Sequence, residues 1–228
     1  RYAGATQDSW YYSSNGPLSY GAVYGAITTD RADVEVDSCQ FESCGDFAVR
    51  STTAANLFLN SIEVFGTRGD AIRDDGTGTL TVRNSEIYDN GGDGIHGIVV
   101  DLSDSAVYGN AKYGVYASTG TLQGMMIEEN GGLPLSLTAP AVAAAVDPDA
   151  GNDIRGDVAG LHNAVEVRAG TISKDQAWPQ IDNGLVYYVP SATIVAVQGY
   201  PQPTLTIGPD AIVKFGSNSG QTGTYLAA

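Results

Sequence analysis

Asn84-Ser85-Glu86-Ile87-Tyr88-Asp89-Asn90-Gly91-Gly92-Asp93-Gly94-Ile95 decides the fold, because the chain writes this stretch again and again. Twenty residues on stands Asp104-Ser105-Ala106-Val107-Tyr108-Gly109-Asn110, followed by Tyr113-Gly114-Val115. Twenty further on comes Gly124-Met125-Met126-Ile127-Glu128-Glu129-Asn130-Gly131. In the other direction the step is 23, first to Ser61-Ile62-Glu63-Val64 and then to Gln40-Phe41-Glu42. Aligned this way, Phe41, Val64, Ile87, Val107 and Ile127 fall into one apolar column. Val36, Leu59, Val82, Leu102 and Leu122 form a second, and Ile27, Val49, Ile72, Ile95 and Val115 a third. Polar residues alternate with each column, as a strand with one buried face requires.

A period of 20–23 residues is too short for a strand plus a crossover helix, which together need about 30 residues. It fits three short strands and three turns, one coil of a right-handed parallel β-helix, an all-β solenoid. Coils stacked about 4.8 Å apart turn each column into a ladder along the interior. Leucine-rich repeats share the length but require a Leu-rich consensus and Asn in another frame. Asn90, Asn110 and Asn130 make a further column at a turn, where stacked amides can link coil to coil and satisfy turn backbone groups. Cys44 and Thr67 fall in the same column, and Cys39 sits two residues before Phe41, on the inward side. Two readings stand for the cysteines: a local Cys39–Cys44 disulfide, or two buried thiols.

Composition agrees with many short strands. Glycine numbers 29 of 228 residues, and 26 acidic against 11 basic residues give a net charge of −15. That balance argues against binding nucleic acid through phosphates and describes a solvated acidic exterior that tolerates divalent cations. No run approaches the roughly 18 apolar residues of a membrane span. The coils divide into a regular stretch, 1–132, an irregular stretch with a Pro/Ala/Asp-rich insert, 133–183, and renewed opening coils, 184–228, continuous with the same solenoid. In the middle stretch Pro134, Pro140 and Pro148 break the pattern, which reads as coils of irregular length with a long outward loop. A helix at 141–146 would be short. Trp10, Tyr11, Tyr12 and Tyr20 point to a loop-rich first coil, and the first three of them could stack on sugar rings or pack over the flank.

These residues resemble the right-handed parallel β-helix repeat proteins of large secreted bacterial and archaeal surface proteins, with a pectin-lyase-like fold. Arg1-Tyr2-Ala3-Gly4 resembles the family's strand end, and residues 84–95 its central coil. Residues 167–178 resemble the segment that closes a unit, and 187–197 and 203–216 the opening of the next. Gly208 departs from the pattern, since the family usually carries Glu there. The resemblance implies an extracellular or cell-surface structural module, with copies of itself or neighbouring repeat units stacked on its ends and cell-surface glycans as further partners. The order of a closing and then an opening segment places both ends inside a tandem array.

Polysaccharide-cutting β-helices set the alternative. Polygalacturonase-like glycosidases carry a paired Asp on one coil and a Gly-His-Gly about one coil later, and here Asp74-Asp75-Gly76 precedes Ile95-His96-Gly97 by 21 residues. The 23-residue step sets Arg73 beneath His96 and Asp70 beneath Asp93. One carboxyl would protonate the leaving oxygen and another would activate water. Two departures favour a non-catalytic reading: Thr52-Thr53-Ala54 occupies the place of the third carboxylate, and no Arg-x-Lys follows His96. Asp70, Asp74, Asp75 and Asp93 could alternatively share a calcium between coils, or simply cap turns. His162 reads as structural.

Overall fold

The computed structural model describes residues 2–4, 26–157, 159–160, 162–216 and 225–227, with the backbone alone for the first and last of these segments. Trp10, Tyr11, Tyr12 and Tyr20 lie outside the described residues.

Alternation writes the strands as the sequence predicts. In Leu57–Asn60 the leucines are buried and Phe58 is exposed, so one face turns to the core and the other to water. Two corners per coil then bend the chain sharply. Ser38, Ser61, Asn84, Asp104 and Gly124 all take positive φ at equivalent places, and so do Ser43, Gly66, Asp89, Gly109 and Glu129. Most of these residues are Gly, Asn, Asp or Ser, whose small or hydrogen-bonding side chains make the left-handed region accessible. The corners fix the coil length, and coil length fixes which residues stack.

Every pairing of strands is parallel and joins one coil to the next. One sheet runs Gln40–Glu42, Glu63–Phe65, Glu86–Tyr88, Ala106–Tyr108, Met126–Glu128 and Asp153–Ile154, preceded by Tyr2–Gly4. Its register puts Phe41, Val64, Ile87, Val107 and Ile127 in one file, extended by Ile154. A second, longer sheet follows nine strands: Ile27–Thr29, Val49–Ser51, Ile72–Asp74, Ile95–Ser103, Val115–Gln123, Leu135–Thr138, Ala164–Arg168, Val186–Val189 and Val213–Phe215. The column Ile27, Val49, Ile72, Ile95, Val115 continues in it through Leu135, Val165, Tyr187 and Val213. The long sheet crosses residues 132/133 and 183/184 without a break. Beside it, Val36, Leu59, Val82, Leu102 and Leu122 form the third file.

The irregular stretch is not a long outward loop. It holds a helix, α1 (Ala139–Ala145), whose Ala139, Ala141, Val142 and Ala145 are buried against the core. Seven residues with a proline in the first turn and no side-chain cap do not sustain a helix alone, so packing holds it. From α1 onward the cross-section changes. The shorter sheet ends at Asp153–Ile154 and the turn Asp182–Gly184 lies over it, with Asn183 Nδ2 donating to Ile154 O at 3.0 Å and Asp153 Oδ1 at 3.1 Å. Two new sheets open, one from Gly170–Ile172, Ile194–Val197 and Tyr225–Ala227, the other from Gln176–Trp178 and Leu205–Ile207. Trp178, fully buried, stacks on Tyr187 at 5.2 Å, and the Tyr187 hydroxyl donates to Pro179 O. The large aromatic pair fills the core of these later coils.

Candidate functional site

The asparagine column is a continuous hydrogen-bonded ladder. Asn110 Oδ1 accepts from the Asn90 N–H at 3.3 Å and Nδ2 at 2.8 Å, and Asn130 Oδ1 accepts the corresponding pair from Asn110 at 3.1 and 3.0 Å. Asn90 Oδ1 in turn accepts from the Thr67 N–H. Each amide also donates to carbonyls of its own turn and of the preceding coil. All three asparagines are buried. This column holds the turns together rather than any ligand. Cys39 and Cys44 are both thiols, so the disulfide reading does not hold in this structure. Cys44 is buried in the foot of the ladder column while Cys39 is half-buried with its Sγ directed at Asp37 O, and burial pushes the Cys44 thiol up to about 11.

The candidate acidic residues divide between inside and outside, which corrects their treatment as one set. Strand Ile72–Asp74 alternates, so Arg73 faces out and Asp74 faces in. Asp74 is fully buried above Ser51 and Thr29, in a polar file that ends at Gly97 on the next coil. Its Oδ1 accepts the Gly76 N–H at 3.0 Å, and among the described residues its Oδ2 has no hydrogen-bond partner. Burial pushes this carboxyl up, against the opposing pull of the Gly76 N–H and the Ser51 hydroxyl. Asp74 therefore cannot share a cation or a substrate with Asp75, which lies on the other side of the sheet.

Outside, the long sheet carries a file of polar side chains in register: Arg50, Arg73, His96, Tyr116, Ser136 and Glu166. Asp75 is clamped between two arginines, with Arg50 Nη2 at 2.6 Å from Oδ2 and Arg73 Nε at 2.7 Å from Oδ1. Burial alone would raise its carboxyl, but the hydrogen bonds from Arg50 and Arg73 outweigh it and hold the group below the usual carboxylate range. Arg73 Nη1 also reaches Asp70 Oδ2 at 2.8 Å. Asp70 Oδ1 accepts the Asp93 N–H one coil on, and Asp93 Oδ1 accepts the Tyr113 N–H of the coil after that. These two carboxylates cap successive turns. The remaining Asp93 oxygen lies 2.9 Å from His96 Nδ1.

Asp70, Asp93 and His96 bring their ligand atoms within 4.8 Å of one another. The donor set has the composition of a divalent-cation site, but Arg73 places a fixed positive charge on Asp70 where a cation would sit, so the residues present do not fit calcium. The His96 ring stacks on that of Tyr116 at 4.6 Å, and the Arg168 guanidinium lies over the Tyr116 ring, 3.9 Å from its centre. Arg168 Nη1 donates to the Tyr116 hydroxyl at 2.7 Å, and Glu166 accepts from Ser136 at 2.7 Å and Tyr113 at 3.1 Å. Sequence reading missed Arg50, Tyr116, Glu166 and Arg168. The 23- and 20-residue steps would have found the first two, since both share the His96 file. His162 is partnered by Asp157, with 2.9 Å between Nδ1 and Oδ2.

Elsewhere on the outer surface, Phe65, Tyr88 and Tyr108 stack face to face at 5.1 Å along the shorter sheet. Among the described residues, no helix is long and apolar enough to cross a membrane.

No curated protein and no solved structure matches the chain. The family model described as right handed beta helix region matches residues 18–130, the span that contains the asparagine ladder and all of Asp70, Asp74, Asp75, Asp93 and His96. With its parallel ladders of stacked coils, the chain has the fold of the right-handed β-helix family that this part of it matches.

Proposed function

We propose that this chain is an extracellular structural module, a stiff rod of the surface-layer, sheath, stalk or adhesin type, which stacks end to end on copies of itself or on neighbouring repeat units and carries out no catalysis. The clamping of Asp75 by Arg50 and Arg73 is the observation that supports this reading best. A glycosidase needs one carboxyl able to hold a proton and another free to act on water or sugar. Here the outward carboxylate nearest the glycosidase pattern is doubly neutralised and held ionised, while its neighbour Asp74 faces the core. The charges of the outer face link coil to coil, as Arg50–Asp75, Arg68–Asp46, Arg83–Asp101 and the contacts of Tyr116 with His96 and Arg168 do.

Incubation of the purified chain with polygalacturonate and related acidic polymers is expected to release no new reducing ends or unsaturated products. Turnover that disappears in both Asp75→Ala and His96→Ala would overturn the structural reading. Negative-stain microscopy of concentrated protein is expected to show fibres, and a monodisperse monomer at every concentration would remove the end-to-end stacking.

A further inference from the structure

Three Asn-Gly pairs lie among the described residues: Asn90-Gly91, Asn130-Gly131 and Asn183-Gly184. This dipeptide is the one in which a backbone nitrogen most readily attacks the preceding side-chain amide, because glycine offers no Cβ to hinder the approach. The structure separates the three sharply. Asn90 and Asn130 are buried rungs of the ladder, and the attacking nitrogens of Gly91 and Gly131 are each held in a 2.7 Å hydrogen bond to Thr67 O and Asn110 O. Reaching the reactive geometry there means unstacking neighbouring coils. Asn183 sits exposed at the tip of the turn Asp182–Gly184 with φ 60, Gly184 follows at φ +74, and none of the described residues lies within 4 Å of the place a Gly184 Cβ would occupy.

The position of Asn183 gives the chemistry a consequence. Its Nδ2 donates to Ile154 O and Asp153 Oδ1, so the side-chain amide stands where a next strand of the shorter sheet would otherwise bond. Buried Ile181 and Leu185 flank the turn and seat it on that edge.

We propose that Asn183 is a site of spontaneous deamidation that works as a timer, releasing the turn that covers the end of the shorter sheet. The Gly184 nitrogen attacks Asn183 Cγ and gives up its proton, the Cγ–Nδ2 bond breaks, and ammonia leaves a succinimide. Water then opens either carbonyl, leaving aspartate or isoaspartate at 183, with no change in oxidation state. The product has lost the donor to Ile154 O and places a carboxylate against that of Asp153, so the turn lifts from the strand Asp153–Ile154. This inference stands apart from the structural or enzymatic reading of the protein.

The test uses the intact chain, aged at mildly alkaline pH and physiological temperature and then digested with trypsin. Cleavage after Lys174 and Lys214 leaves Asn183 as the sole asparagine of its peptide. A gain of one mass unit, with isoaspartate, is expected in that peptide at least about ten-fold faster than at Asn90 or Asn130, a factor that corresponds to about 1.4 kcal/mol of opening free energy. Equal rates at the three sites, or faster change at a ladder asparagine, overturns the assignment of the site. Asn183→Asp, made directly, is expected to speed amide exchange at Asp153 and Arg155 at least about ten-fold while leaving that at Glu86 unchanged. Unchanged exchange at 153 and 155 overturns the release of the turn.

Discussion

Replacing Asn110 by alanine removes the middle rung of the ladder, and the structure sets the size of the loss. Oδ1 is the acceptor recorded for the buried Asn90 N–H, which the substitution leaves orphaned. Nδ2 carries two hydrogens shared among Ile87 O, Tyr108 O and Asn130 Oδ1, so two donations vanish as well. An orphaned buried N–H costs about 1–3 kcal/mol and each further lost hydrogen bond about 1, which gives about 3–5 kcal/mol for Asn110→Ala. The Asn110 N–H keeps its bond to Asn130 Oδ1, which loses only the side-chain donation, so the larger damage falls on the side of the Asn90 coil. Asn60→Ala is the control. It removes a surface bridge between Asp37 and Asn84 and should change stability by no more than about 0.5 kcal/mol. Denaturant unfolding followed by circular dichroism compares the two variants, and native-state hydrogen exchange at the Asn90 amide locates the effect. A loss below about 1 kcal/mol for Asn110→Ala, matching the control, would refute the ladder as a source of stability.

Asp74→Asn probes the buried carboxyl. Because burial raises its pKa above the ordinary 3.8, the wild type is penalised as pH rises from 3.8 through the raised value, so the variant should gain in relative melting temperature from acid to neutral pH. A difference that stays flat with pH contradicts this. Thiol alkylation of the native protein should mark Cys39 first and Cys44 only on unfolding, since burial both covers the latter and pushes it up to about 11. Labelling of both at one rate would contradict the placement. Gly120→Ala should cost at least about 2 kcal/mol in the same denaturation assay, because φ is +148 and a Cβ there would lie 2.0 Å from Val100 O. A loss within about 0.5 kcal/mol would show that the bend gives way freely.

The three apolar files were legible because coils of nearly constant length convert sequence spacing directly into contact. Val64, Ile87, Val107 and Ile127 needed nothing beyond the 23- and 20-residue steps. Asp74 was legible in principle, since the alternation Ile72, Arg73, Asp74 turns it inward, but two adjacent aspartates invite reading as a pair. Helix α1 was half legible: the alanine run offered a short helix at 141–146, close to the observed Ala139–Ala145, but not its burial in the core. Its alanines carry no strong periodic signal, and only the surrounding walls give its buried face a partner. The contact of Arg168 with Tyr116 spans 52 residues and a coil lengthened by the helix, so no fixed step predicts it. The corner residues fell between: positive φ at Asn84 and Asp104 follows from residue type, whereas the same geometry at Glu129 is imposed by the coils that stack on it.

Where α1 interrupts the solenoid, the walls hand over. The file of Val36, Leu59 and Val82 stops with Leu122, the shorter sheet closes at Ile154, and the two later sheets begin only at Gly170 and Gln176. Between those limits, among the described residues, the strand pairing from one side to the other passes through Leu135–Thr138 and Ala164–Arg168 alone, four residue pairs wide. Tension along the axis is carried there by that narrow seam together with the packing of α1 and the bonds from Asn183 to Asp153 and Ile154, fewer backbone links than the ladders on either side possess, so the joint resists flexure least.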